Sequence, residues 1–203
     1  MKYFLFDIGH VLVDFETEDF LHRVARETGR AVEPLSEYDM EKIDEVEKGE
    51  ISDAEYVEYL NESKGLSWTV VDLITIWSRM FRVNETGRGL FLNAMKAGVL
   101  VYTLSNIAKH HIDAIESNWG GFFDGAAGLF LSYQIGVRKP DPVIYRYVLD
   151  ELGAKGEQCF FVDDRPENID AARGAGIQAH QFIPENHAAI QSAAADFFEL
   201  SGM

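Results

Sequence analysis

The chain has 203 residues, of which 34 are acidic and 18 basic, giving a formal charge of −16. Such a surface repels phosphate backbones and anionic lipid, so nucleic-acid and membrane partners are not expected. A hydrophobic content of 47% suffices for one ordinary core with a modest insert, and the single cysteine, Cys159, excludes an internal disulfide framework and fits a reducing compartment.

The first element, Tyr3 to Phe6, is a continuous apolar run, as expected of a strand buried on both faces. It is too short for a signal peptide or a membrane span, an acid follows it at once, and no later stretch reaches spanning length; a cytoplasmic protein is expected. From about Phe15 to Phe81 the pattern is helical and offers no convincing strand. Ser52 and Glu55 form a capping box before Tyr56, Val57 and Leu60, Gly65 closes that helix, and Ser67 is placed to cap the next, where Val70, Leu73, Ile74, Trp77 and Phe81 recur at helical spacing. After Thr86 helices and strands alternate. Leu90 to Met95 is a helix that Gly98 ends, and Val99 to Leu104 is a second buried strand. A helix through Ile112 and Ile115 and a short third strand, Gly128 to Leu131, follow. Asp141 caps a helix with Pro142 at its first position and Gly153 past its end. Phe160 to Val162 is the fourth strand, Pro166 opens another helix, Ile177 to Ile183 is the fifth strand, and a last helix runs towards Leu200. This alternation predicts an α/β fold: a doubly wound parallel sheet, a Rossmann-like core made of residues 1–14 and 85–203, with an inserted all-helical cap at 15–84.

Ligands of open parallel sheets bind at the carboxyl ends of strands where the strand order reverses. The first strand ends in Asp7, the second in Ser105-Asn106 and the fourth in Asp163-Asp164, while Arg138-Lys139 precedes the helix begun by Pro142. Together they offer carboxylates for a hard cation, a hydroxyl, an amide and an ammonium, the groups that phosphoryl transfer needs. Taken singly, Asp163-Asp164 reads equally as a helix N-cap, Lys139 as a surface lysine and Ser105-Asn106 as a cap; Asp7 does not, because an acid directly after a buried strand must be satisfied.

Four segments resemble, in order, the motifs of the haloacid dehalogenase superfamily: residues 6–14 (FDIGHVLVD), 104–106 (LSN), 137–142 (VRKPDP) and 161–168 (FVDDRPEN). The resemblance covers nearly the whole chain and is nearest to small bacterial sugar-phosphate phosphatases and the phosphatase domain of soluble epoxide hydrolases. It implies a Mg²⁺-dependent phosphatase acting on a small phosphorylated metabolite, sugar phosphates foremost, in a monomer or homodimer. By the same resemblance Asp7 is the nucleophile that becomes phosphorylated. Mg²⁺ is held by Asp7, the Gly9 carbonyl and Asp164, with Asp163 close by. Ser105 and the backbone near Asn106 hold the transferring oxygens, and Lys139 neutralises charge.

One position departs from the pattern. Family phosphatases usually carry a second aspartate two residues after the nucleophile, as general acid and base; here it is Gly9. General acid–base help is worth about 10²–10⁴ in rate. Three readings stand: a phosphatase that recruits another group, with His10 adjacent and Asp14 near; a haloacid dehalogenase, which the acidic pair disfavours by repelling a carboxylate substrate; and a binding or regulatory module with residual chemistry. The missing acid implies a preference for leaving groups that tolerate negative charge. His110-His111 are read as core or surface residues, since adjacent helix positions face differently, as are His180 and His187. Glu47-Lys48-Gly49-Glu50 reads as a cap turn that could point at the site, against the commoner solvated face.

Overall fold

The computed structural model describes residues 1–200, so the last three residues of the expected core span lie outside the described residues. The chain opens with β1 (Tyr3–Phe6) and the two-residue β2 (Val13–Asp14), then enters four helices: α1 (Thr17–Thr28), α2 (Glu37–Glu47), α3 (Asp53–Lys64) and α4 (Val70–Met80). It returns through β3 (Arg82–Val83) to α5 (Glu85–Lys96), β4 (Leu100–Ser105), α6 (Lys109–Asn118), β5 (Gly128–Leu131) and the single turn α7 (Ser132–Ile135). The remainder is α8 (Pro142–Leu152), β6 (Cys159–Asp163), α9 (Pro166–Gly174), β7 (Gln178–Gln181) and α10 (His187–Phe198).

Five strands pair in the order β5-β4-β1-β6-β7, all parallel. The chain builds one half from β1 outward through β4 and β5, then crosses back to lay β6 and β7 on the other side. The order therefore reverses beside β1, and the crevice lies at its carboxyl end. Both faces are covered. Phe4 and Phe6 pack with Phe91, Ala94, Phe160 and Ile190, so α5 and α10 lie on one face. Tyr3 and Leu5 pack with Ile144, Tyr145, Val148, Phe161 and Ile169, so α8 and α9 cover the other. The two-residue alternation along β1 feeds both layers, which explains why its sequence is continuously apolar. The fold is the Rossmann-like α/β architecture expected.

α1 to α4 share a separate apolar cluster of Phe20, Val46, Tyr56, Val57, Leu60, Trp68, Leu73, Ile76 and Met80. Their caps are local: Ser36 with Asp39, Ser52 with Glu55 and Thr69 with Asp72 form capping boxes. Thr69, not the expected Ser67, opens α4, because Asp72 stands three residues after it and answers its backbone. Within Phe15 to Phe81 no strand forms, as expected, but just outside it lies a small antiparallel ribbon that the sequence did not suggest, in which Val13 faces Val83 and Asp14 faces Arg82. Two residues per strand leave no period to detect; only the pairing creates them. Asn84 caps α5 through Gly87 N and donates to Asp14 Oδ1 at 3.0 Å, tying both ends of the ribbon. Among the described residues no helix is long and apolar enough to cross a membrane.

Gly87 sets how closely α5 approaches the loop that follows β1. A Cβ there would lie 1.7 Å from the Val11 carbonyl oxygen, which is backbone and cannot step aside. Alanine gains about 1 kcal/mol of helix propensity over glycine, but overpacking a close contact costs about 1–3 kcal/mol or more. Gly87→Ala should therefore lower Tm, by about 2–4 °C for each net kcal/mol. A melting curve that shifts upward would show that the contact yields easily.

Candidate active site

The carboxyl ends of β1, β4 and β6 converge. Asp7 follows β1 and donates its N–H to Val162 O at 2.9 Å, extending the β1–β6 register so that Asp7 and Asp163 stand side by side. Asp7 is 7% exposed, Lys139 3% and Asp163 0%, so all three charges are held essentially out of water. The Lys139 ammonium lies 3.0 Å from Asp7 Oδ1 and 2.6 Å from Asp163 Oδ2, and donates also to Leu104 O at 2.8 Å. An ammonium has three N–H donors, and each has an acceptor here.

The expected residues divide into two layers. Asp7, Gly9, Ser105, Asn106 and Asp164 line a cavity of about 360 Å³. Lys139 and Asp163 are buried beneath it. Asp163 accepts from Arg165 N at 2.8 Å and from Asn168 Nδ2 at 3.0 Å, besides the lysine. Neither Asp163 nor Asp164 caps α9, whose N-cap residue is Arg165 and makes no side-chain cap bond. Asn106 is committed too: its Nδ2 donates to Lys139 O and its Oδ1 accepts from Lys139 N, both at 2.7 Å. This reciprocal pair fixes the lysine backbone against the end of β4.

Oxygens of Asp7, Asp163 and Asp164 all lie within 4.8 Å of one another. Three carboxylates against one ammonium leave two negative charges uncompensated. Burial is the largest influence on Asp7 and pushes its pKa up to about 7; Asp163 and Asp164 add to that, while Lys139 and a Ser105 hydrogen bond oppose it. Asp164 is raised for the same first reason, burial, with Asp163 adding and His10 and Lys139 opposing. Burial works to lower the Lys139 pKa, but the attraction of Asp163 and Asp7 outweighs it and the net direction is upward. The lysine stays charged, and an all-oxygen, excess-negative donor set of this kind suits a hard divalent cation.

Gly9 has one close neighbour. A Cβ on it would lie 3.2 Å from Phe15 Cε1, so the Phe15 ring covers the place from which a side chain at 9 would project. The His10 ring stacks on Phe15 at 4.6 Å and lines the cavity, and His10 takes a left-handed backbone with φ of 54°. Asp14 does not reach the cavity; it is engaged by Asn84 in the ribbon.

Several lining residues were not foreseen as such. Phe15, Trp77 and Phe81 form an aromatic wall, with Trp77 and Phe81 stacked at 5.4 Å. Glu47 and Arg138 join it, and Arg138 bridges α2 to the loop before α8 through Asp44 at 2.6 Å and Glu47 at 2.7 Å. The cap turn thus does reach the site, through Glu47, and Gly49 lets it pass: a Cβ there would lie 2.2 Å from Tyr133 O. His110 is core, paired with Asp53 at 2.7 Å, whereas His111 lines the cavity. The two face differently as adjacent helix positions must, but His111 is a site residue, and only α4 packing on α6 makes it one. The signal available in the sequence was the position of His111 in the first turn of the helix that follows Ser105-Asn106.

A reversed parallel sheet with buried carboxylates and a lysine at the switch point defines an α/β enzyme whose site is built for charge transfer onto oxygen. The chain belongs to the haloacid dehalogenase-like hydrolase family, which residues 1–176 match. It is similar to a D-ribitol-5-phosphate phosphatase of Bacteroides thetaiotaomicron, with 26% identity over 93% of this chain and 94% of that protein. It is 36% identical to a sesquiterpene phosphatase of Aspergillus oryzae over 39% of this chain and 40% of that one. In fold it resembles a family enzyme from Bacteroides thetaiotaomicron crystallised with magnesium and inorganic phosphate, at a TM-score of 0.75 and 24% identity, covering 89% of this chain and 93% of the other.

The raised pKa has a consequence for stability. An unfolded aspartate titrates near about 3.9, and in the fold Asp7 titrates near 7, so the native state holds the proton more tightly. The penalty of ionising Asp7 is absent below the unfolded value and grows as pH rises through that window. In chelator, Asp7→Asn should exceed the natural sequence in stability at pH 8, by about 1 kcal/mol or more, because the amide has no charge to bury. The advantage should shrink towards pH 5. Chemical denaturation at the two pH values checks this, and a variant less stable at pH 8 would show that Lys139 fully offsets the burial.

Proposed function

We propose that the chain is a Mg²⁺-dependent phosphatase that hydrolyses small polyhydroxylated phosphate monoesters, sugar or polyol phosphates, through a phosphoaspartate on Asp7. The observation that carries the reading is the cluster of Asp7, Asp163 and Asp164 with Lys139 between the first two, at the floor of a cavity sized for a small metabolite. The likeness to a ribitol-phosphate phosphatase across nearly the full chain supports it. The proposed core is 1–14 with 85–203, and the proposed cap 15–84, hinged at the ribbon beside Asp14 and Asn84.

Asp7, the Gly9 carbonyl and Asp164 would hold Mg²⁺, with Asp163 behind them already engaged by Lys139, Arg165 and Asn168. When bound, the cation supplies charge neutralisation that lets an anionic nucleophile meet an anionic phosphate. Ile8 N donates to Asp7 Oδ1 at 2.7 Å and Lys139 reaches the same oxygen, so the carboxylate is fixed in direction, and Lys139 partly opposes the burial that favours its neutral form. Asp7 forms a bond to phosphorus as the ester P–O bond breaks, and the departing alkoxide takes a proton. Water then cleaves the acyl phosphate, releasing inorganic phosphate and restoring Asp7. Ser105 and the backbone at Asn106 bind the transferring oxygens. The aromatic wall excludes bulk water while this happens. The acidic trio argues against a haloacid dehalogenase, whose carboxylate substrate it would repel. A reducing, cytoplasmic setting suits the single buried cysteine.

Removal of the metal should abolish phosphate release, and Asp164→Ala should lose Mg²⁺ binding by calorimetry together with turnover. Asp7→Asn should release no phosphate, and borohydride reduction of the trapped enzyme should mark Asp7 by mass spectrometry. Full turnover in EDTA, or a mark on Ser105 or His10, would sink the mechanism.

The position of Phe15 over Gly9 leads to a second expectation. Without an aspartate at 9, rates should rise with leaving-group acidity, so aryl phosphates and sugar 1-phosphates outpace the matching 6-phosphates when the first step limits turnover. Gly9→Asp, combined with Phe15→Ala to clear the ring, should flatten that dependence and speed the poorest leaving groups by about 10²-fold, the lower end of general acid help. A flat dependence in the natural sequence would mean that another group already supplies the proton.

A further inference from the structure

Among the described residues, five buried side-chain polar atoms have no hydrogen-bond partner, and three of them, Glu47 Oε2, His111 Nε2 and Arg138 Nε, belong to residues that line the one cavity above Asp7. Buried polar groups are nearly always satisfied, and each exception asks for an explanation. Glu47 and Arg138 are at least paired in charge at 2.7 Å, although that pairing does not meet hydrogen-bond geometry at Oε2. His111 has no such relief.

The protonation of His111 follows from its neighbours. The backbone N–H of Ala108 points at Nδ1 at 3.3 Å, so Nδ1 is the acceptor and, in the neutral ring, the proton sits on Nε2. Burial, and then His110, hold the ring well below its ordinary pKa, consistent with a neutral imidazole. The ring is clamped by the edge of Trp77 at 4.2 Å and 80° and by Phe81 at 6.1 Å and 79°. The result is a fixed, neutral N–H donor in the wall of the cavity with nothing in the protein to receive it. It is closed off from solvent in this conformation, and the ring that covers it belongs to α4 while His111 belongs to α6.

We propose that His111 is a specificity-determining residue: a small shift of the Trp77 side chain packed on the imidazole uncovers Nε2–H, which then donates to a hydroxyl oxygen of the leaving group lying along Trp77 and Phe15. This rests on the phosphatase reading above and adds to it the residue that reads the part of the substrate that departs. A leaving group without a further hydroxyl would leave His111, Glu47 and Arg138 desolvated and unpaired, and sites with buried polar groups reject such ligands strongly. The aromatic faces meanwhile accept the C–H edges of a polyol.

His111→Phe keeps a ring against Trp77 and removes the donor; His111→Gln keeps an N–H donor. Ribitol 5-phosphate is the polyhydroxylated probe and phenyl phosphate the comparison that lacks hydroxyls. The ratio of kcat/KM for ribitol 5-phosphate over phenyl phosphate should fall about tenfold in His111→Phe, the loss of one useful hydrogen bond, and should recover to within about threefold in His111→Gln. Thermal melting should show His111→Phe no less stable than the natural chain, since an unpaired buried donor is lost; a ring retained only for packing would not give this pattern. An unchanged ratio in His111→Phe overturns the proposal. Calorimetry on Asp7→Asn with Mg²⁺ separates the two readings: if the natural chain hydrolyses nothing but Asp7→Asn binds ribitol 5-phosphate, and binds it more weakly when His111→Phe is added, the phosphatase reading fails and the His111 contact stands. Equal binding with and without His111, or no binding of ribitol 5-phosphate at all, defeats the contact.

Discussion

The ammonium of Lys139, held between Asp7 and Asp163, is the interaction on which the rest of the site depends. Removing one partner of a buried ion pair typically costs about 3–5 kcal/mol, because the charge left behind has no water to turn to. Two carboxylates can sit side by side at the ends of β1 and β6 only because the lysine stands beneath them. Its own position is secured by Leu104 O and by the Asn106 amide, which grips the Lys139 backbone on both sides. The ends of three strands and the loop before α8 are thereby welded into one unit before any ligand is considered.

That compensation is incomplete, and the incompleteness carries the function. Asp7 is pushed towards neutrality by burial and by its acidic neighbours, a state at odds with the nucleophilic role proposed for it and one that a cation joining the cluster would correct. The same logic reconciles the chain's strong negative charge with an anionic substrate. Long-range repulsion is screened over about 8–10 Å at physiological salt, whereas Lys139, Arg138 and Arg165 act at contact distance inside or beside the cavity. Binding is governed by what lines the pocket and hardly by the net charge outside.

The helical insert contributes most of the aromatic wall. Phe15 occupies the approach to Gly9, so the absence of the usual aspartate is accompanied by a ring that keeps water from simply filling its place. Arg138 links this insert to the core through Asp44 and Glu47, and Ser132 Oγ donates to Glu47 O at 2.5 Å. The contacts that shape this side of the cavity are therefore also those that hold α2 against α7 and the loop before α8.

The sequence by itself determined the parallel α/β fold, because β1, β4 and β6 are apolar on both faces and alternate with capped helices, and it determined the candidates Asp7, Ser105, Lys139 and Asp164, because strand ends in such sheets are where polar residues cannot be idle. Capping boxes such as Ser52 with Glu55 were legible for the same reason: their partners are three residues apart. What the tertiary structure alone decided involves residues distant in the chain. The ribbon of Val13–Asp14 with Arg82–Val83 exists only as a pairing, with no period of its own. Glu47 and His111 became wall residues by the docking of α2 and α4 on the core, and Asp14 was withdrawn from the site by Asn84 at the ribbon. Side-chain chemistry and local periodicity are written along the chain; which face of a helix meets a cavity is set by packing between elements, and no short-range pattern encodes it.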